Sequence, residues 1–445
     1  MRIPSIFFRS ALAGVVLLSG FARSGQAQSL RAGAAKVDIT PAESELPKNY
    51  LGILDRIYTR AIVIDNGKTK AALVEVPGNC GTPDWDAATK RAEAELGIPQ
   101  KHVIIGGTHS HSVPRGKALA DKIFEALKTA NSRLQPARMG YGTGVSYINV
   151  NRNIIDPKTR KWWEGANYDG PSDKTVAVIK FETPNGDPIA VYYNYACHAV
   201  TVGTLDLVSG DFPGTTSKYI EESLGGDAVA LWSSGAEGDQ NPIFFQQTYD
   251  LREIRIKDYA KKGQDISNSM PPGGTGLDRN DPKTALLMNQ QKQMILTYGQ
   301  MLGEEVLRVV RFGIPRMETS TRIYGDAKNF SCPGRQRLNQ GRAGEPGEYK
   351  DADPVGARLS LVMVGDIALG AVAGEVFNPI GVRFKKESPY RGMMVTVANG
   401  GGNTGYIPND AAYGYYTFEV LSSRLKPGCA ENAIVNGLID LMPND

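Results

Sequence analysis

Two apolar runs in this chain end in histidine, and that pattern limits the folds open to it. The first, Val103 to Ile105, passes through Gly106-Gly107 into Thr108-His109-Ser110-His111-Ser112. The second, Val191-Tyr192-Tyr193-Asn194-Tyr195-Ala196-Cys197, stops at His198. The chain has 445 residues and four histidines, so three of the four sit at the ends of two strand-like segments. Histidine is the commonest zinc ligand and titrates near neutrality. A fold that brings the two strand ends together builds one metal centre. A fold that keeps them apart leaves strand-end histidines bonded to backbone. The scarcity of histidine and the repeated context favour the first.

The rest of the chain repeats the same alternation. Arg31 to Thr40, Ile57 to Asp65 and Ala71 to Val76 read as strands, with Gly67 at a turn. Asp84 to Leu96 reads as a helix with Pro83 near its start and Gly97 at its end, and a second helix runs from about Leu119 to Leu134. Further strands are expected at Thr175 to Glu182, Ile189 to Asn194 and Ala228 to Ser233. A long helix is expected over Thr284 to Phe312, then strands over Leu359 to Val364 and Ile367 to Val372. Strands alternating with helices predict an α/β protein with the metal site at strand ends. No sharp linker or low-complexity tract interrupts it, so residues 28–445 are expected as one large domain with mixed β-sheets flanked by helices. Residues 243–283 turn polar and rich in Gly, Pro, Asn and Asp, and read as a surface insertion or lid, or as disorder.

The N-terminus has the form of a secretory leader. Arg2 and Arg9 precede the apolar stretch Ala11 to Ala22, and Gly25-Gln26-Ala27 offers a small-x-small cleavage site after Ala27. Removing residues 1–27 takes Arg2, Arg9 and Arg23 and no acid, so the chain's 50 basic and 47 acidic residues become 47 of each. A neutral mature chain lacks the basic excess of a nucleic-acid binder. No later run is long and apolar enough for a transmembrane segment, so a secreted or periplasmic protein is expected. Among the cysteines, Cys332 (Ser-Cys-Pro-Gly) and Cys429 (Pro-Gly-Cys) lie in turn-like contexts and form the better candidate disulfide. The four cysteines could form two disulfides in three pairings, and at Cys197, in an apolar strand, a buried free thiol is an equal alternative.

Other polar residues carry two readings each. His109 and His111 are two apart, so in extended chain both face one side; both could bind one metal, or one could bind while the other moves protons. Glu375 follows the apolar run Ile367 to Ala373, as a ligand or as the acidic start of a helix. Asp211 (Ser-Gly-Asp-Phe) and Asp239 (Gly-Asp-Gln) are turn signals before they are functional residues. Arg152, within Asn149-Val150-Asn151-Arg152-Asn153, offers a fixed cation to an oxyanion or a loop salt bridge. Tyr406 lies in a Gly-rich turn.

In combination these segments resemble the catalytic domain of the neutral/alkaline, non-lysosomal ceramidase family. The resemblance runs in order through Arg31 to Pro41, Asp55 to Ala61, Thr108 to Ser112, Asn151-Arg152, Asn194 to His198, Ser209-Gly210-Asp211, Gly238-Asp239, Gly374-Glu375 and Tyr406 to Glu419. It implies a zinc amidohydrolase with His109, His198, Glu375 and Tyr406 as ligands to Zn²⁺. His111 would be the general acid/base and Arg152 would steady substrate or oxyanion. Asp211, Asp239 and Gln240 would contact a small-molecule or lipid substrate. Three departures mark this chain. Gly238-Asp239-Gln240-Asn241-Pro242 stands where ceramidases carry a serine, the family's C-terminal immunoglobulin-like domain is expected to be absent, and Phe418 replaces a family tyrosine.

The expectation is therefore an exported zinc hydrolase that cleaves an N-acyl bond. One alternative keeps the metal and changes the substrate: the polar 243–283 segment and Arg335, Arg337 and Arg342 would suit a soluble or anionic molecule, such as a sugar derivative or ester. Another is a non-catalytic binding protein on this fold, against which stand the intact His109, His111, His198 and Glu375.

Overall fold

The computed structural model describes residues 29–443 except 115, 117, 226, 267–276, 340–343 and 401–403. The expected leader lies outside the described residues. Three strand–helix–strand units organise the protein. In the first, Lys70–Val76 lies parallel to Val103–Gly107, with helix Thr82–Leu96 between them. In the second, Pro188–Tyr195 lies parallel to Val229–Ser234, with Asp211–Leu224 between. In the third, Ile367–Val372 lies parallel to Arg391–Val395, with Asn378–Glu387 between. Parallel neighbours need such a crossover, because a tight turn can only reverse the chain.

Antiparallel strands extend each unit into a mixed sheet. Tyr58–Asp65, Arg31–Asp38 and the short Gln135–Pro136 complete the first. Thr175–Glu182 and Arg138–Val145 complete the second, and Tyr349–Val364 and Ile323–Arg337 the third. Two smaller sheets join Gln240–Pro242, Asn149–Ile155 and Trp162–Asn167, and pair Glu375–Val376 with Tyr406–Ile407.

The apolar runs are continuous because both faces of these sheets are buried. In Ala61-Ile62-Val63-Ile64, Ile62 and Ile64 enter a central core with Leu73, Phe181, Leu231, Val362 and Leu369. Ala61 and Val63 point the other way, under Thr82–Leu96 and Leu119–Ser132. Helices Asp211–Leu224 and Pro282–Arg308 cover the second sheet through Phe212, Ile220, Tyr298 and Leu302. Asn378–Glu387 and Ala430–Asp440 cover the third through Phe384, Ile434 and Leu438. Each such side chain contributes roughly 1.5–3 kcal/mol on full burial.

The expected α/β class holds, and most of the expected elements appear with ends shifted by a few residues. Four features differ. Helix Gln246–Lys261 forms within the polar 243–283 stretch. Asn149–Ile155 is a strand, which places Arg152 on a sheet and not in a loop. The long helix ends at Arg308 and gives way to one wider turn, Val309–Gly313. Cys332 does form a disulfide with Cys429, with 5.8 Å between Cα atoms, but it lies inside the long strand Ile323–Arg337 and not in a turn. Cys80 and Cys197 are buried thiols.

Candidate metal centre and its cavity

The C-terminal ends of the three parallel pairs converge and are sewn together by backbone. Gly107 N donates to Val397 O at 3.0 Å, Thr396 N to Ser234 O at 2.9 Å, and Asn399 N to Ile105 O at 2.9 Å. Ser234 Oγ adds a bond to Gly107 O at 2.9 Å. The approach is close enough to exclude side chains. A Cβ on Gly107 would meet Gly78 O at 2.4 Å, and one on Gly238 would meet Glu375 O at 2.6 Å. His109 leaves its strand with φ of 58°, a left-handed conformation that non-glycine residues adopt at a cost.

Four side chains leave these ends for one point. His109 follows the first unit, His198 and Glu237 the two strands of the second, and Glu375 the third. A ligating atom from each lies within 4.8 Å of the others. The two imidazoles are held between two carboxylates. On the interior side, His198 Nδ1 lies 2.7 Å from the Glu237 carbonyl and 2.8 Å from its Oε2, while His109 Nδ1 lies 3.3 Å from Glu237 Oε1. On the other side, His198 Nε2 is 3.2 Å and His109 Nε2 3.9 Å from the Glu375 carboxylate. Glu237 is fully buried. Burial opposes the charged form of both partners, yet the Glu237 carboxylate raises His198 and the imidazoles hold Glu237 ionised.

Tyr406 is brought in by pairing: it lies in register with Glu375, whose N–H donates to Gly405 O at 2.9 Å. Its ring stacks on His198 with centroids 6.4 Å apart. Burial pushes its phenol well above the ordinary value, opposed by Arg152. His111 completes the imidazole cluster, its ring centroid 5.1 Å from His109 and 6.2 Å from His198. It is open to the adjoining cavity. The surrounding protein first, and the neighbouring imidazoles second, hold its pKa far below the usual histidine value.

Arg152 is buried and its guanidinium is largely spent on protein. Nε donates to Glu419 Oε1 at 2.5 Å, Nη1 to Asn241 Oδ1 at 3.3 Å and Nη2 to Gly238 O at 2.8 Å. Its charge lies 5.4 Å from the centre of the Tyr406 ring. Of five N–H groups, the two left over serve the phenol oxygen and whatever enters the cavity. That cavity, about 640 Å³, is lined by His111, Arg152 and Tyr406 among others.

The three residues expected to contact substrate do not reach it. Asp211 is buried and accepts backbone N–H groups of Val202 at 3.0 Å and Phe212 at 2.6 Å. Asp239 accepts from Asn378 N at 2.8 Å and Asn151 Nδ2 at 2.9 Å. Gln240 donates to Pro171 O at 2.9 Å, and its own carbonyl receives His198 N at 3.1 Å. These side chains are engaged by backbone and by a neighbouring amide. The arginines expected at a substrate also stand elsewhere: Arg335 packs on Tyr349 and Tyr413, with its charge 4.0 and 4.9 Å from their ring centres. Arg337 Nε bonds Asn339 Oδ1 at 2.9 Å, and Arg342 lies outside the described residues.

Sequence reasoning passed over Glu237 and Glu419. Glu237 had a readable signal, a carboxylate three residues past a fully buried strand, as at Glu375. Two imidazoles and two carboxylates form a mixed nitrogen and oxygen donor set of the kind that divalent metals take. Glu237 and Glu375 flank these imidazoles and bring carboxylate charge that a divalent cation would balance.

Fold and cluster together define a mixed α/β protein with a candidate His/Glu metal-binding group at converging strand ends. No protein-family model matches the chain. It is 29% identical over 263 residues to neutral ceramidase B of Dictyostelium discoideum, covering 49% of this chain and 36% of that protein. It is 26% identical over 276 residues to the neutral ceramidase of Pseudomonas aeruginosa, covering 52% and 41%. The crystal structure of the Pseudomonas aeruginosa neutral ceramidase superposes with a TM-score of 0.67 at 16% identity, over 93% of this chain and 74% of that one. A ceramidase complexed with C2 gives 0.69 at 17%, over 93% and 75%. The matched stretches span about two-fifths or less of the length of these curated relatives. The chain is thus similar to neutral ceramidases, in sequence over about half its length and in fold over nearly all of it.

Proposed function

We propose that the chain is an exported zinc-dependent hydrolase of the ceramidase type that cleaves an N-acyl bond. The observation that carries this reading is the convergence of His109 Nε2 and His198 Nε2 on the Glu375 carboxylate, beside Tyr406 and at the edge of a cavity lined by His111 and Arg152. His109, His198, Glu375 and Tyr406 would hold the ion. When bound, zinc supplies Lewis acidity to a carbonyl and lowers the pKa of water toward neutrality. Glu237 sits on the opposite side of both imidazoles and fixes which nitrogen of each faces the ion, as outer carboxylates do around ligating histidines.

His111 is held neutral and open to the cavity, so a ring nitrogen can accept a proton from the attacking water and deliver it to the leaving nitrogen. Water contributes the new C–O bond, the C–N bond breaks, and the products are a carboxylate and an amine. The remaining N–H groups of Arg152 face the cavity, where a fixed cation stabilises negative charge developing on the carbonyl oxygen. Glu419 and the Gly238 carbonyl hold that guanidinium in place.

Zinc content of the purified mature protein, beside that of His198→Ala, tests the site. About one zinc per chain in the wild type and none in the variant is expected, together with loss of amide hydrolysis. Equal zinc in both would overturn the assignment.

A further inference from the structure

The cavity beside the metal cluster has a wall that the amide chemistry does not use. Helix Gln246–Lys261 supplies Thr248, Arg252 and Arg255 to it, at i, i+4 and i+7 and therefore on one helical face. The polar stretch that breaks the apolar pattern of the sequence thus turns its polar face to the cavity.

Among the described residues, the charges on this wall and just behind it, where Arg279 stands, do not balance. Arg152 is matched by Glu419, and Arg252 lies 3.6 Å from Glu164. Asp206 is shared by two guanidinium groups, Arg255 Nη2 at 2.7 Å and Arg279 Nη2 at 3.2 Å. The side chains of Arg255 and Asp206 are each 2% exposed. Arg255 Nε, wholly buried, has no hydrogen-bond partner among the described residues. Burial lowers Arg279 below the ordinary arginine range, and Arg255 adds to this against the pull of Asp206. A carboxylate divided between two cations, and a buried donor without an acceptor, both leave free energy to be gained by a further anion.

We propose that this wall binds the carboxylate of the substrate, so that the enzyme acts on compact N-acyl compounds bearing one free carboxylate, of the N-acyl amino acid class. The inference rests on the amide-hydrolase reading and sharpens its substrate. One surplus cation matches a monoanion, and a carboxylate supplies the acceptor that Arg255 Nε lacks, in the geometry guanidinium groups favour. Trp162, Phe245 and Tyr249 line the same cavity and offer apolar faces to a modest acyl group. A volume of about 640 Å³ suits one small molecule. A long-chain neutral lipid would instead bury this charged wall against hydrocarbon, leaving its charges and donors unmatched.

The test compares N-octanoylglycine with N-octanoylglycinamide, which differ only in the charge of the terminal group, and with a fluorescent short-chain ceramide. With the zinc-loaded mature protein, kcat/KM for the carboxylate is expected to exceed that for the carboxamide by about tenfold or more, the effect of one well-placed ion pair. Arg255→Met should bring this ratio toward one. Arg279→Met removes the same surplus charge from a more open position and should lower the ratio if the Arg255 variant does not fold. A wild-type ratio near one, faster turnover of the ceramide, or a ratio unchanged in a folded variant would overturn the inference. If no amide of any kind is hydrolysed, the hydrolase reading fails, and calorimetric binding of the same pair decides this one. Binding of the carboxylate alone upholds it, and equal or absent binding overturns it.

Discussion

The two sides of the cavity are built in different ways. On the metal side, every functional group hangs from the end of a buried strand, and backbone bonds between Gly107 and Val397 and between Thr396 and Ser234 lock the ends together. On the facing side, helix Gln246–Lys261 and hairpin Asn149–Ile155/Trp162–Asn167 present charged and aromatic side chains, with little apolar packing beneath the helix. A metal centre needs ligands fixed to within a fraction of an ångström, which strand ends in a dense core provide. A recognition wall needs only charge and shape, so it can ride on a polar helix. Arg152 joins the two: it lies on the hairpin, yet its guanidinium reaches Gly238 and Tyr406 on the metal side.

That contrast predicts a graded set of effects. The largest falls on the joint. Arg152→Met would leave Glu419 buried without its cation, which costs about 3–5 kcal/mol and abolishes turnover. Adding Glu419→Gln should recover much of the stability, measured by denaturant unfolding, and none of the activity. A stability loss under about 1 kcal/mol would mean that the joint is not a buried pair at all. Next comes the metal side. Glu237→Gln keeps the volume but can accept from only one imidazole with its amide oxygen, so zinc affinity by chelator competition should fall roughly 10–100-fold. Unchanged affinity would mean that Glu237 does not orient the imidazoles and that this side is less rigid than its backbone bonds imply.

The smallest effect lies deeper, under the strand ends. Arg60 Nη1 bonds Glu75 Oε1 at 2.9 Å, and its Nε bonds Glu221 Oε1 at 2.9 Å. Burial pushes Glu75 up to about 7 against the pull of Arg60, whereas Glu221 is held below the ordinary range by Arg60 and Lys36 despite its burial. An acid whose folded pKa is raised stabilises the fold fully below its unfolded pKa near 4.5 and loses that contribution as pH rises toward 7. Glu75→Gln should therefore flatten part of the fall in Tm between pH 5 and 7. An identical pH profile in wild type and variant would show that Glu75 does not titrate in this window.

Legibility in the sequence divides along the same line. Ile367 to Ala373 and Val191 to Cys197 are readable as strands because both faces are buried and the apolar run is continuous, but for Asn194 in the second. Helix Gln246–Lys261 escapes because its inner face carries Thr248, Arg252 and Arg255, which only the cavity explains. Asn149-Val150-Asn151-Arg152-Asn153 has the composition of a turn, and becomes a strand because Gln240–Pro242 pairs with it on one side and Trp162–Asn167 on the other. Asp211, Asp239 and Gln240 show the reverse case: residues of functional type whose side chains bond to neighbouring protein groups.

By itself the sequence determined the alternation of buried strands and covering helices, the disulfide candidates and the placing of scarce histidines at strand ends. Those are local properties, set by apolar run length, glycine and proline positions and residue chemistry. Only the tertiary structure decided which strand ends meet, that Glu237 stands behind both imidazoles, and that Asp206 must serve two arginines. These pairings join residues far apart in the chain, and nothing in local pattern specifies which distant carboxylate a given imidazole or guanidinium will face.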